Sequence, residues 1–241
     1  MQMIITETVE DFHKESAAFV SRQVLQKPDS LVGFATGDTT VGIHDWIIRY
    51  HNEMGVDYSR CRACILDEYA GIAAEDPRGC GWRIRDGLLD HLNILPENIY
   101  IPNGMTTPPE KELGVFEKTI KSFGGIDLQV VSIGQNGHIA FNEPGTPFDS
   151  SYRLAPISPS TVKAKSGLFG GEDQVPRVGI SMGIRDIMMA RTILLVACGS
   201  HKSTVIRQVV YGPLSEDVPA TVLRLHPNVV VVIDKAAAAL L

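Results

Sequence analysis

Short apolar runs rich in β-branched residues alternate along this chain with longer stretches whose apolar positions recur every three or four residues. The first pattern marks strands and the second amphipathic helices, so the alternation predicts a chain of βαβ units. Strands are expected at Met3–Ile5, Leu31–Ala35, Ala63–Leu66, Ile99–Ile101, Leu128–Ile133, Val178–Ser181, Thr192–Ala197 and Val229–Ile233. Several show no polar alternation, as parallel strands covered on both faces require. Helices are expected at Val9–Gln26, Gly42–Met54, Trp82–Leu92, Pro109–Phe123, Gly183–Ala190 and Lys202–Tyr211, the first entered through Thr8 as its N-cap. The fold class that follows is α/β, with an open, mostly parallel sheet. No internal repeat is present. The least regular stretch is about 145–175, interrupted by Gly145, Pro147, Pro156, Pro159, Gly167, Gly170 and Gly171. A long irregular segment in a compact domain is a functional lid or a loose connection, and its place directly after the strongest motif favours a lid.

The 241 residues fit one domain spanning 1–241 with a continuous core. A formal net charge of −6 argues against wrapping nucleic acid phosphates or lying on an anionic membrane, and leaves small molecules as the expected partners. Met1–Ile5 is too short for the apolar core of a signal peptide, and acidic Glu7, Glu10 and Asp11 follow at once. No apolar run approaches membrane-spanning length. The expected location is the cytoplasm, where the four cysteines stay reduced. Cys61 and Cys64 invite a metal reading, but in a strand residues three apart point to opposite faces. Cys80 and Cys198 form no second pair with zinc-like spacing, so no metal is expected.

Ligands of open parallel sheets sit at the carboxyl ends of the strands, and three such ends carry chemistry. After Leu31–Ala35 comes Thr36-Gly37-Asp38-Thr39-Thr40, a turn opening a helix, whose backbone amides suit a phosphate; the same turn also serves as an ordinary connection with threonine caps. After Ala63–Leu66 comes Asp67-Glu68, an acidic pair that is either a solvated strand end or a base able to take a proton from carbon beside a carbonyl. After Leu128–Ile133 comes Gly134-Gln135-Asn136-Gly137-His138, with Glu143 close enough in sequence to orient the imidazole. A lone loop histidine is usually structural. Here the flanking glycines and carboxylate shift the reading toward catalysis.

At Leu66-Asp67-Glu68-Tyr69-Ala70-Gly71 and Gly137-His138-Ile139-Ala140-Phe141-Asn142-Glu143-Pro144-Gly145 the chain resembles the glucosamine-6-phosphate deaminases, also called isomerases. Ile101-Pro102-Asn103-Gly104, Val218-Pro219-Ala220 and Leu225-His226-Pro227 support the resemblance over nearly the whole chain. It implies a Rossmann-like fold with helices on both faces of the sheet. It also implies conversion of a hexosamine 6-phosphate to the ketose 6-phosphate and ammonia, without metal or organic cofactor. By the same resemblance His138 protonates the ring oxygen, Glu143 holds and polarises it, and Asp67 moves a proton from C2 to C1. Asn136, an aspartate in longer members, belongs with this catalytic set as a subgroup marker. Thr36, Gly37, Asp38 and Thr39 would hold the phosphate with Lys202, which otherwise reads as a solvent-facing first-turn lysine.

Departures from the family pattern bear on the substrate. Asp38 stands where a glycine or serine is usual; a carboxylate aimed at phosphate would repel it by about 4 kcal/mol per charge pair at 4 Å in a dielectric near 20, so Asp38 must point away or the ligand differs. Gly167 stands where a lid arginine usually grips phosphate, leaving Lys163 or Lys165 as substitutes. Asp76–Trp82 replaces a serine and aromatic cluster, which leaves the epimer, gluco or galacto, open. The short tail after Asp234 lacks the extension of allosteric hexameric relatives, so a monomer or small homo-oligomer without an effector site is expected. Alternatives are a non-catalytic sugar-phosphate sensor and a 6-phosphogluconolactonase-like hydrolase. Phe141-Asn142-Glu143-Pro144 favours the deaminase over the latter. A nucleotide-binding domain would need a glycine fingerprint after its first strand that is missing here.

Overall fold

The computed structural model describes residues 1–241. Ten strands and seven helices follow the chain: β1 (Gln2–Thr6), α1 (Val9–Gln26), β2 (Leu31–Phe34), α2 (Val41–Met54), β3 (Arg62–Ile65), β4 (Asp67–Tyr69), α3 (Cys80–Gly87), β5 (Ile99–Tyr100), α4 (Glu110–Ser122), β6 (Leu128–Ser132), β7 (Arg153–Pro156), α5 (Pro159–Phe169), β8 (Val178–Ser181), α6 (Ile184–Ile187), β9 (Thr192–Ala197), α7 (Ser203–Tyr211) and β10 (Val229–Asp234). Thr8 caps α1 as expected, its hydroxyl accepting the Asp11 amide at 3.0 Å, and α2 ends at Gly55 in the left-handed conformation.

Seven strands form one parallel sheet in the order β1-β10-β9-β6-β2-β3-β5. Side chains alternate across it into two cores. Leu194, Val196 and Val232 face α1, α2, α3 and α5 through Phe12, Ile43, Ile84 and Val162. Ile193, Leu195 and Val231 face α4, α6 and α7 through Phe116, Ile187 and Val205. The fold is thus the expected α/β architecture with helices on both faces. Cys61 lies in the first core and Cys64 in the second, on opposite sides of the sheet as the spacing implied. From β2 the chain runs outward to β3 and β5, then returns to lay β6 on the other side of β2. This reversal opens a crevice at the carboxyl ends of β2 and β6, the place where doubly wound sheets bind ligands.

Three expectations need correction. Val178–Ser181 is not in the parallel sheet: as β8 it runs antiparallel between β4 and β7 in a second, three-stranded sheet. Its apolar pattern reports burial, which either sheet supplies, and carries nothing about the direction of its partners. Asp67 does not sit in a loop but opens β4, pairing with Ser181. Residues 145–175 are not irregular either, since they hold β7 and the whole of α5. Ser158 caps α5 through the Thr161 amide, Pro159 takes its first turn and Gly170 ends it in the left-handed conformation, so the residues that read as breakers are the helix's two boundaries. Tyr69 of β4 packs between Phe141 and Phe169, with ring centroids at 5.0 and 5.2 Å, and joins α5 to the loop that follows β6.

Candidate active site

Four strand ends converge on one cavity of about 380 Å³. Thr36, Gly37, Asp38 and Thr39 line it from β2, Asp67 from the end of β3, Asn136 and His138 from β6, and Lys202 from β9; α5 roofs it through Ser160, Thr161, Ala164 and Lys165. The strand-end residues and Lys165 are ones singled out in the sequence, and Glu143 is placed behind His138.

The turn after β2 is a 3-10 turn, Asp38–Thr40, leading into α2. Thr40 is buried and gives its hydroxyl to the turn itself, within reach of the Ala35 carbonyl at 3.1 Å and the Gly37 carbonyl at 2.8 Å. Thr36 and Thr39 are left to face the cavity, beside the amides that begin α2. The Lys202 ammonium is held at the cavity wall by the Ile133 carbonyl, 2.7 Å away, and burial lowers its pKa. The Asp38 carboxylate is 82% exposed and engages Arg83 at 2.9 Å and Lys165 at 3.5 Å. It is therefore paired with cations rather than facing the cavity alone.

The acidic pair at the start of β4 divides its labour, as alternation along a strand dictates. Glu68 points into the protein and accepts the amides of Tyr69 at 2.7 Å, Cys80 at 3.0 Å and Gly81 at 2.6 Å, so it seats the N-terminus of α3. Asp67 faces the cavity. Burial, reinforced by the Glu68 charge, pushes its carboxyl up to about 7 against the opposing pull of the Cys80 thiol and the Lys165 ammonium.

The loop after β6 needs both of its glycines. Gly137 has φ +88°, and a Cβ there would also meet Val218 at 2.6 Å; a Cβ on Gly134 would stand 2.2 Å from the His138 ring. Gly134→Ala is expected to lower turnover about a hundredfold with an unchanged circular-dichroism spectrum, because it moves the imidazole and little else.

His138 Nδ1 lies 2.7 Å from Asn136 Oδ1 and 3.4 Å from Glu143 Oε2. Glu143 in turn accepts Asn136 Nδ2–H at 2.7 Å, the Thr161 hydroxyl at 2.5 Å and the Ser158 amide at 3.4 Å. Burial alone would raise the Glu143 carboxyl, but His138, Thr161 and Asn136 together bring it down to about 2. An ionised carboxylate only accepts, so it fixes the Asn136 amide with its oxygen toward His138. That oxygen requires a proton on Nδ1 and leaves Nε2 as the nitrogen able to take or give one.

Sequence reasoning did not find Arg83, Thr161 or Ser158. Arg83 approaches from α3, inside the expected helix Trp82–Leu92 and one residue beyond the unusual Asp76–Trp82 segment, and the other two enter through a helix in the stretch that reads as irregular. The Ser158-Pro159 pair is a cap-and-first-turn signal that would have located that helix.

A sequence model of the family described as glucosamine-6-phosphate isomerases/6-phosphogluconolactonase matches residues 4–232. A glucosamine-6-phosphate deaminase of Clostridium botulinum is 41% identical over 238 residues, covering 99% of this chain and 98% of that one. One of Thermoanaerobacter pseudethanolicus is 38% identical over 241 residues, covering 100% and 95%. Among solved structures, a monomeric glucosamine-6-phosphate deaminase superposes with a TM-score of 0.97 at 35% identity over the whole of both chains. The 6-phosphogluconolactonase of Trypanosoma brucei shares the fold alone, with a TM-score of 0.79 at 16% identity over 99% and 97%.

Proposed function

The chain belongs to the glucosamine-6-phosphate isomerase and 6-phosphogluconolactonase family, and from that footing we propose that it is an enzyme isomerising and deaminating a hexosamine 6-phosphate. The observation that carries this reading is a single cavity holding a carboxyl poised near neutrality and an imidazole of fixed tautomer, with a lysine and a helix-opening turn beside them. A general base works best when its pKa lies close to the working pH, and Asp67 meets that condition.

In the proposed sequence the phosphate rests on Thr36, Gly37, Thr39 and Lys202. His138 Nε2 takes the C1 hydroxyl proton and passes it to the ring oxygen, and the ring opens to the aldehyde. Glu143 stabilises the imidazolium through the same contacts that orient it. Asp67 then removes the C2 proton, which the C1 carbonyl has acidified, and the electron pair passes into an enolamine. Return of that proton to C1 leaves an imine at C2, and water replaces it with a ketone, releasing ammonia. Asn136 acts as a positioning residue between Glu143 and His138. The segment 145–175 serves as the lid, since α5 roofs the cavity and its first turn rests on Glu143. We take the enzyme to work in the cytoplasm as a monomer, as the solved relative is described, and to need no cofactor.

Ammonia release from glucosamine 6-phosphate and galactosamine 6-phosphate, with 6-phosphogluconolactone hydrolysis in parallel, tests the reading. Turnover of an amino sugar phosphate is expected and names the epimer. Folded protein that cleaves only the lactone, or neither substrate type, would overturn it.

A further inference from the structure

Arg83 has no role assigned so far, and Lys165 has been named only as one of two lysines that could stand in for the missing lid arginine. They come from different elements, α3 and α5, and converge at the cavity wall next to the turn that opens α2. Their side chains are mostly covered, at 22% and 25% exposure, yet the only carboxylate within 4 Å of either is Asp38, itself 82% exposed. An exposed carboxylate is a weak counter-ion, because water screens it. Two mostly covered cations therefore share one poorly placed anion at the cavity wall. Lys165 also depresses the pKa of Lys202 and of Asp67, so its charge is felt at both ends of that cavity. Lys163, on the same helix, is exposed and does not reach it.

We propose that Arg83 and Lys165 complete the phosphate grip with Lys202, and that Asp38 is their resident counter-anion, which competes with the bound phosphate for both. The group Asp38, Arg83, Lys165 and Lys202 carries a net charge of about +2, suited to a phosphate dianion in a screened site. Arg83 offers a planar fork and Lys165 a point charge that moves with the lid, so phosphate binding draws α5 onto the turn after β2. Asp38 occupies the two cations until the ligand arrives, at the expense of affinity. The inference rests on the proposed function only in that the ligand carries a phosphate.

Titration calorimetry with inorganic phosphate and with fructose 6-phosphate tests it without reference to turnover. Lys165→Met and Arg83→Met are each expected to weaken both ligands about tenfold, the worth of one charge-assisted contact. Asp38→Asn is expected to tighten both several-fold, and to lose that gain when combined with Lys165→Met and Arg83→Met. In steady-state assays the lysine and arginine variants raise KM and leave kcat within a small factor. Unchanged phosphate affinity in Lys165→Met and Arg83→Met would overturn the grip, and weaker binding by Asp38→Asn would overturn the counter-anion. If no amino sugar phosphate is turned over while these affinities shift as stated, the deaminase reading fails and the grip stands.

Discussion

Asp67→Asn is expected to lower ammonia release from glucosamine 6-phosphate by about 10^3- to 10^4-fold, the upper range for removal of a positioned general base, with little change in KM. The amide keeps the shape of the carboxyl and cannot accept the C2 proton, so binding survives and enolisation does not. In the parent enzyme kcat/KM should rise with pH through a limb near 7, the region to which burial and the Glu68 charge push the Asp67 carboxyl. The same shift predicts a thermal-stability difference of opposite sign. Between about pH 4 and 7 the folded chain holds a proton on Asp67 that the unfolded chain has released, so the parent loses stability as pH rises through that window. The variant has no such proton to lose. Its melting temperature should therefore match the parent near pH 4 and exceed it near pH 8, an activity-for-stability exchange at a functional site. A variant that melts below the parent at pH 8, or retains more than about a tenth of the turnover, would count against Asp67 as the base.

The second large effect is expected at Glu143→Gln. The amide oxygen can still accept Asn136 Nδ2–H, which now stands 2.7 Å from a carboxylate oxygen, with the new NH2 turned to the Thr161 hydroxyl. The His138 backbone amide, 3.2 Å from Asn136 Oδ1, also keeps that oxygen toward the ring. The tautomer therefore survives, and what is lost is the carboxylate charge that stabilises the imidazolium from 3.4 Å. Removing a group preorganised to stabilise charge in the transition state costs on the order of 10^2 to 10^3 in kcat, and that loss is expected here in ring opening. Substrate supplied already open, such as fructose 6-phosphate with ammonia in the reverse direction, should not bypass the defect, because ring closure uses the same proton. Stability has its own pH signature. A carboxyl depressed to about 2 contributes stability above its ordinary value near 4.5 and loses it as pH falls between those values. Parent and variant should therefore converge in melting temperature toward pH 2 and separate above pH 5.

The parallel sheet and its helices were legible because each strand carries an unbroken apolar run and each long helix a 3.6-residue stripe. Asp67, His138, the turn after β2 and Lys202 were legible for a different reason, which is that each follows directly on one of those runs. What could not be read was anything set by a partner remote in sequence. Val178–Ser181 has the apolar content of a core strand, and only Asp67–Tyr69 and Arg153–Pro156 on either side decide that it runs antiparallel. Glu68 and Asp67 are adjacent carboxylates, and their separation into a helix seat and a base depends on Cys80 and Gly81 returning to the strand. Asp38 reads as a defect in a phosphate turn until Arg83 and Lys165, 45 and 127 residues further on, are placed beside it.

The order of the strands also bears on how the chain is made. The strand β1 has a single partner in the sheet, and that partner is β10, more than 220 residues later in synthesis. Throughout synthesis the segment Gln2–Thr6 must wait as an open edge while β2, β3, β5, β6 and β9 can already pair. Contacts of such long range are slow to form, and a waiting apolar edge is open to pairing with other chains. A translation product stopped within Val229–Asp234 would leave two edges bare at once, those of β1 and β9. A chain cut short within β10 should therefore yield aggregate rather than a shortened enzyme.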